Sequence, residues 1–166
     1  FLNIKSTLEL LHKHYRIGII SANTKDTIQY VLDRANIHSV DVIYSDSSFF
    51  GKHRMLQRIL KKEQCSKDEI IYVGDEIRDI EACKKAGVKI IAVGWGYNAG
   101  DALKQHHANF FIENPKELLQ VMMKISMPEK IKKKEPVDSC KRVTLFGKYK
   151  GMKWSKKEDR LKCKEV

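Results

Sequence analysis

The 166-residue sequence lacks several features that mark common protein classes. No apolar run approaches the ~20 residues that a membrane-spanning helix needs, and residues 1–15 lack the profile of a signal peptide. The four cysteines form no CxxC pair and no Cys/His spacing typical of a metal site. These absences argue against a membrane protein and a cysteine-based zinc domain, and we expect a reducing, cytoplasmic compartment.

Positive charge is concentrated near the C-terminus. Of the net charge of +11, +8 belongs to residues 126–166 and +3 to residues 1–125. We therefore expect a folded domain over 1–125 and a basic, mostly disordered tail over 126–166. Within that tail, Arg142–Phe146 is predicted to be at most an isolated strand. A solvated tail is expected over one that binds nucleic acid. Phe1 is not an initiator methionine, so we expect the chain to be a piece of a longer protein.

Short apolar segments alternate with helical patterns along residues 1–125. The predicted strands are Arg16–Ile20, Val40–Tyr44, Ile70–Val73, Val88–Val93 and Phe110–Ile112. Helices are predicted around Asn3–His14, Ile28–Ala35, Met55–Glu63, Ile77–Ala86 and Asn114–Ile125, with Gly87 ending the fourth. This alternation predicts an α/β fold with a parallel, doubly wound sheet.

Three acids follow the most apolar of these strands. Asp75, Glu76 and Asp79 come directly after Ile70–Val73 and Gly74, at a strand-to-helix junction where open α/β sheets bind ligands. Asp75 and Asp79 are four residues apart, so a helical turn would let them share a cation. The alternative is structural: Asp75 as a helix N-cap, with Glu76 and Asp79 as first-turn acids favoured by the helix dipole. Both interpretations remain open from this segment alone.

Polar side chains also follow two other predicted elements. Ser21 and Asn23 come after the first strand, and Lys52 lies in the loop after the second. Because parallel strands end at one edge of a sheet, we expect these groups to lie near Asp75 and Asp79. A hydroxyl, an ammonium and a pair of carboxylates that can hold a metal form a suitable site for a phosphate oxyanion.

These segments resemble the motifs of the haloacid dehalogenase superfamily of phosphohydrolases, in its phosphoglycolate-phosphatase-like branch. The segment Ile17–Asn23 is similar to its second motif, Gly51-Lys52 to its third, and Gly74–Asp79 to its fourth, GDxxxD. The loop Gly94–Asn98 also resembles that branch. The resemblance covers residues 1–125 and implies a three-layer Rossmann-like core.

The resemblance also implies roles for individual residues. Ser21 would hydrogen-bond the transferring phosphoryl group of a small phosphorylated substrate, and Asn23 would orient the substrate or nearby backbone. Lys52 would neutralise charge on the phosphoryl group and the nucleophile. Asp75 would bind Mg²⁺ directly or through water, with Asp79 as the second, supporting metal residue; oxygen ligands also suit Mg²⁺ on general grounds.

The sequence departs from the family in one respect, because it contains no DxDxT motif. In the family, that motif follows a central first strand and supplies the aspartate nucleophile and the general acid. We therefore expect a sheet that is incomplete at its N-terminal strand, a nucleophile outside this chain, and little activity from the chain alone. The gap would be closed by its two neighbouring strands or filled by an outside strand.

Other functions remain as alternatives. The first is a non-catalytic remnant that binds a phosphate compound or a partner protein, and the second is a nucleic-acid-binding module acting through the tail. The Gly94–Gly100 loop nearly matches a dinucleotide-binding fingerprint, but its third glycine is one position late and no acid ends a strand about 20 residues on. We therefore reject NAD binding. The natural substrate and the oligomeric state are left undetermined.

Overall fold

The computed structural model describes residues 3–45 and 51–125 and the backbone of residues 143–146. In these ranges the chain forms α1 (Ile4–His12), β1 (Arg16–Ser21), α2 (Lys25–Arg34), β2 (Val42–Ser45), α3 (Lys52–Lys62), β3 (Ile70–Gly74), α4 (Ile77–Ala86), β4 (Lys89–Val93), α5 (Gly100–Gln105), β5 (Phe110–Ile112), α6 (Glu117–Ile125) and β6 (Val143–Phe146). The strands form one sheet in the order β2-β1-β6-β3-β4-β5, and every pairing is parallel. The predicted α/β fold with a parallel sheet is confirmed.

Helices cover both faces of the sheet, which gives three layers. Strand β3 is buried along its whole length, as expected for a central strand of a parallel sheet. Alternate residues of the strands point to opposite faces. On one face Ile71 and Val73 pack with residues of α1, α2 and α6. On the other face Ile70 and Tyr72 pack with residues of α3, α4 and α5.

The middle of the sheet differs from the prediction. Strand β6 lies between β1 and β3 and pairs with both: Ile19 and Val73 are each in register with Phe146. The prediction that Arg142–Phe146 forms at most an isolated strand is therefore wrong for Val143–Phe146. The gap between β1 and β3 is filled by a strand from the C-terminal part of the same chain. The rest of the predicted tail, 126–142 and 147–166, lies outside the described residues.

Two smaller differences concern the C-terminal half of the domain. Helix α5 was not predicted, because it is only six residues long and Leu103 is its one buried residue. Helix α6 begins at Glu117, two residues after Pro115, which was predicted to be its first position after an N-cap at Asn114. The side chain of Asn114 accepts a hydrogen bond from the backbone N–H of Lys116 at 3.1 Å, and its carbonyl accepts one from Glu117. These bonds form a turn that precedes the helix.

Two helix boundaries have clear local causes. The Thr24 side chain caps α2 by accepting a hydrogen bond from the N–H of Thr27 at 3.2 Å. Gly87 ends α4 in the left-handed conformation, with φ of 71°, as the sequence predicted.

Among the described helices, none has both the length and the apolar character needed to span a membrane.

Candidate active site

Asp75 lies directly after β3 and is completely buried. Its Oδ2 accepts a hydrogen bond from the backbone N–H of Tyr97 at 2.6 Å. Its carbonyl accepts one from the N–H of Asn98 at 3.1 Å, and the Asn98 side chain accepts one from the N–H of Ile77. The loop after β4 therefore holds Asp75 and the start of α4 in one fixed arrangement.

The second carboxylate oxygen of Asp75 has no such support. Oδ1 is buried and has no hydrogen-bond partner among the described residues. The pKa of Asp75 is raised from 3.8 to about 6, mainly by burial; the hydrogen bond from the Tyr97 N–H lowers it, and the negative charges of Asp79 and Glu76 raise it. A buried charged oxygen without a partner is unfavourable, so this group favours a nearby cation.

Asp79 belongs to the same motif as Asp75, but both of its carboxylate oxygens have hydrogen-bond partners. Its Oδ1 accepts hydrogen bonds from the Lys52 ammonium group and from the Tyr72 hydroxyl, the latter at 3.2 Å. Its Oδ2 accepts one from the backbone N–H of Glu76 at 3.2 Å. Burial raises the pKa of Asp79, and Lys52 acts in the opposite direction. Both carboxylate oxygens are thus engaged within the protein.

The first turn of α4 contains a capping box in which Glu76 is the N-cap and Asp79 is the third helical residue. Glu76 rather than Asp75 is therefore the N-cap of α4. Helix capping thus accounts for the presence of an acid at position 79 but not at position 75. The Glu76 carboxylate also pairs with Arg78 at 2.6 Å and lies 3.7 Å from Lys52. Lys52 thus contacts two of the three acids of the motif.

Ser21 and Asn23 lie at the same edge of the sheet, two strands away from Asp75. Ile19 and Val73 share Phe146 as register partner, so Ser21 and Asp75, each two residues further on, are at the same level. Two strand spacings separate their backbones by roughly 10 Å. Ser21 Oγ accepts a hydrogen bond from the N–H of Asn23 at 3.1 Å. The Asn23 side-chain nitrogen is buried without a partner among the described residues.

The predicted site residues thus divide into two groups. Lys52 contacts Asp79 directly, whereas Ser21 and Asn23 share the sheet edge with Asp75 across the width of one strand. The unpartnered oxygen of Asp75 and the unpartnered nitrogen of Asn23 both belong to predicted site residues. This arrangement provides a carboxylate ligand for a cation at the end of β3. It also provides hydrogen-bond donors for an anion at the end of β1.

A divalent cation fits Asp75 better than Asp79. The described residues contain no group of three or more His, Cys, Asp or Glu side chains arranged to hold a metal ion. Asp75 nevertheless offers a free carboxylate oxygen, which is the ligand type that Mg²⁺ prefers. Asp79 has no free oxygen, so its contribution is to hold Lys52 and the start of α4. The assignment of both residues to a metal site stays a prediction.

The residues that fix Asp75 were missed by sequence reasoning. A Cβ at Gly96 would lie 1.9 Å from Asp75 Cβ, so only glycine leaves room for the carboxylate. Tyr97 and Asn98 act through backbone and side-chain hydrogen bonds to Asp75 and Ile77. The glycine-rich loop was noted for its resemblance to the family, but its packing against Asp75 has no sequence signal.

Comparison with known proteins defines the family. The profile of the haloacid dehalogenase-like hydrolases matches residues 1–93, more than half of the chain. This chain belongs to the haloacid dehalogenase-like hydrolase family. A haloacid dehalogenase-like hydrolase from Streptococcus pneumoniae has the same fold, with a TM-score of 0.67 and 24% identity over 74% of this chain and 59% of that one.

Its similarity to curated proteins points to phosphatases. A phosphoglycolate phosphatase from Synechococcus elongatus is 31% identical over 110 residues, which cover 66% of this chain and 52% of that protein. The pyrophosphatase PpaX from Oceanobacillus iheyensis is 26% identical over 127 residues, which cover 74% of this chain and 59% of that protein. The chain therefore spans only about half the length of the relatives it matches.

The close packing of Gly96 against Asp75 generates a stability prediction. Gly96→Ala should lower the free energy of unfolding by about 1–3 kcal/mol, because the new methyl group overlaps the Asp75 side chain. Gly100→Ala is the control, since its Cβ would lie 3.1 Å from a Phe111 ring carbon that can move aside. Urea unfolding measures both variants. Equal losses would show that the contact with Asp75 is not tight.

The unpartnered carboxylate generates a pH-dependent prediction for the metal-free protein. The pKa of Asp75 is about 6 when folded and 3.8 ordinarily, so the folded state binds the extra proton and loses stability as pH rises from about 4 to 7. Asp75→Asn removes this loss and should be more stable than wild type by about 3 kcal/mol at pH 7.5 in EDTA. The difference should vanish near pH 4.

The control for this comparison is Asp101→Asn, at an exposed position. It should leave the pH profile of unfolding unchanged. If Asp75→Asn is less stable than wild type at pH 7.5 in EDTA, the carboxylate has a favourable partner in the folded protein and the account of its burial is wrong.

Proposed function

We propose that this chain is part of a Mg²⁺-dependent phosphatase that hydrolyses a small phosphate monoester. The observation that supports this most strongly is Asp75, a buried carboxylate at the end of β3 with one oxygen fixed by the Tyr97 N–H and the other unpartnered. Family membership and the similarity to two phosphatases over about half their length support the same reaction class.

The proposed roles follow from the positions of the side chains. Asp75 holds Mg²⁺, which supplies positive charge to the phosphoryl oxygens. Ser21 and Asn23 donate hydrogen bonds to the phosphoryl group from the opposite side of the sheet edge. Lys52 adds positive charge, and its pairing with Asp79 and Glu76 keeps its ammonium group at the edge. These groups position and stabilise a phosphoryl group, but none is placed to attack it.

The nucleophile is proposed to come from outside this chain. In the resembled mechanism an aspartate oxygen attacks phosphorus, the alcohol leaves, and water hydrolyses the aspartyl phosphate. The strand between Ser21 and Asp75 is β6, and the five residues that follow Phe146 are Gly-Lys-Tyr-Lys-Gly, with no acid before Glu158. A segment that brings DxDxT to the same edge would complete the set of groups.

This missing acid favours a second candidate function. With β6 in the centre of the sheet, the described groups still offer a cation ligand and anion donors without a nucleophile. A phosphate-binding protein without catalytic activity would need no more than this. The two candidates predict the same binding behaviour and differ only in turnover once the missing motif is supplied.

The deciding experiment measures Mg²⁺ binding and turnover separately. Mg²⁺ should raise the melting temperature of the wild-type chain and of Glu81→Gln, but not that of Asp75→Asn. The chain alone should hydrolyse p-nitrophenyl phosphate no faster than Asp75→Ala. Joining an upstream segment with a strand and DxDxT should produce Mg²⁺-dependent hydrolysis that Asp75→Ala abolishes.

Each outcome separates the candidates. Binding without turnover in the joined protein supports the phosphate-binding protein. Equal loss of the Mg²⁺ effect in Asp75→Asn and Glu81→Gln means a diffuse acidic surface and contradicts both candidates. Robust turnover by the 166 residues alone means that another nucleophile exists in this chain.

A further inference from the structure

A tyrosine of the hydrophobic core also contacts the Asp79 carboxylate. Tyr72 lies in β3, two residues before Gly74, and is completely buried. Its hydroxyl donates a hydrogen bond to Oδ1 of Asp79 at 3.2 Å, and the Lys52 ammonium group donates one to the same oxygen. Asp79 is itself completely buried. One buried carboxylate oxygen is therefore shared by Tyr72 and Lys52.

Gly74 leaves the room that this contact needs. A Cβ at Gly74 would lie 2.7 Å from Cε1 of the Tyr72 ring and 2.6 Å from Oδ2 of Asp79. Both distances are too short for a real Cβ, so any other residue at position 74 would push the ring or the carboxylate away. The glycine before Asp75 thus lets the Tyr72 ring and the Asp79 carboxylate approach each other.

Two acids surround Lys52, and each of them has a further donor. The Lys52 ammonium group contacts Asp79 and lies 3.7 Å from Oε2 of Glu76. That Oε2 accepts two hydrogen bonds from the Arg78 guanidinium, at 2.9 and 2.6 Å, while Asp79 accepts the one from Tyr72. A hydrogen bond to an ionised oxygen offsets part of its negative charge. Less of the positive charge of Lys52 is then neutralised by the two acids, and more of it can act on an anion.

We propose that Tyr72 is a positioning residue, which through Asp79 keeps the Lys52 ammonium group at the sheet edge and available to a phosphoryl group. The Lys52 side chain is 30% exposed, so an anion can reach it, whereas Tyr72 and Asp79 are sealed from solvent. Without the hydroxyl, Oδ1 of Asp79 would have Lys52 as its one donor, and the ammonium group would be held closer to the carboxylate. This proposal rests on the proposed function in one respect, the binding of phosphate by Lys52.

The test compares Tyr72→Phe with Tyr44→Phe in the full chain. Tyr44 is a matched control, because it packs in the same part of the core and its hydroxyl also donates to a carboxylate, that of Glu63. Glu63 follows the last turn of α3, whereas Lys52 begins that helix, so the two are roughly 16 Å apart along it.

Two measurements report on Lys52. Tyr72→Phe should shift the ¹⁵Nζ resonance of Lys52, and it should weaken the binding of inorganic phosphate in the presence of Mg²⁺ by roughly fivefold, as measured by calorimetry. Tyr44→Phe should lower the stability of the chain and change neither measurement. An unchanged Lys52 resonance in Tyr72→Phe, or an equal loss of phosphate binding in Tyr44→Phe, overturns the proposal.

A double-mutant cycle separates positioning from a general loss of structure. If Tyr72 acts through Lys52, Tyr72→Phe should not weaken phosphate binding further in a Lys52→Gln background; equal effects in both backgrounds overturn the proposal. If wild type binds no phosphate, the proposed function fails, and the Lys52 resonance still supports or overturns the role of Tyr72.

A measurement on wild type covers the case in which Tyr72→Phe fails to fold. In protein labelled with ¹³Cζ-tyrosine, phosphate should shift the Tyr72 resonance over the same concentration range as the Lys52 ¹⁵Nζ resonance. The Tyr44 resonance should stay in place. A Lys52 resonance that shifts while that of Tyr72 stays unchanged overturns the proposal.

Discussion

The site depends on the burial of one carboxylate. Asp75 is excluded from solvent at the end of β3, where one oxygen is fixed by a backbone N–H and the other has no partner among the described residues. A charged group in this position raises the free energy of the folded protein unless a cation approaches it. Gly96 and Asn98 make this burial possible by shaping the loop around the carboxylate. In the proposed function, a Mg²⁺ ion bound to Asp75 offsets this unfavourable free energy.

Asp75 and Asp79 show which part of the site could be predicted. The strand, the glycine and the spacing of the acids identified a strand-to-helix junction at the sheet edge, and the structure has this junction. The sequence could not show which acid is engaged, because that depends on Lys52, 27 residues earlier in the chain, and on Tyr72. Tertiary contacts give both carboxylate oxygens of Asp79 hydrogen-bond partners, whereas Oδ1 of Asp75 has none among the described residues.

The fold was predictable to a similar extent. Buried strands such as Ile70–Gly74 and amphipathic helices such as Lys52–Lys62 have strong periodic patterns, and their positions agree with the structure within a few residues. Helix α5 has one buried residue and hence no pattern to detect. Strand β6 contains three apolar and two β-branched residues in its four positions, but its partners, β1 and β3, are both distant in sequence. Local pattern alone cannot identify such pairing.

The central claim is that Asp75 binds the cation, and its side-chain carboxyl carbon can be observed directly by ¹³C NMR. Titrating the full chain with Mg²⁺ should shift the Asp75 side-chain carboxyl resonance saturably at neutral pH. The Asp79 resonance should move much less, because both of its oxygens remain bonded to groups of the protein. A resonance of Asp75 that stays unchanged while that of Asp79 shifts would contradict the account, and so would the absence of any shift up to tens of millimolar Mg²⁺.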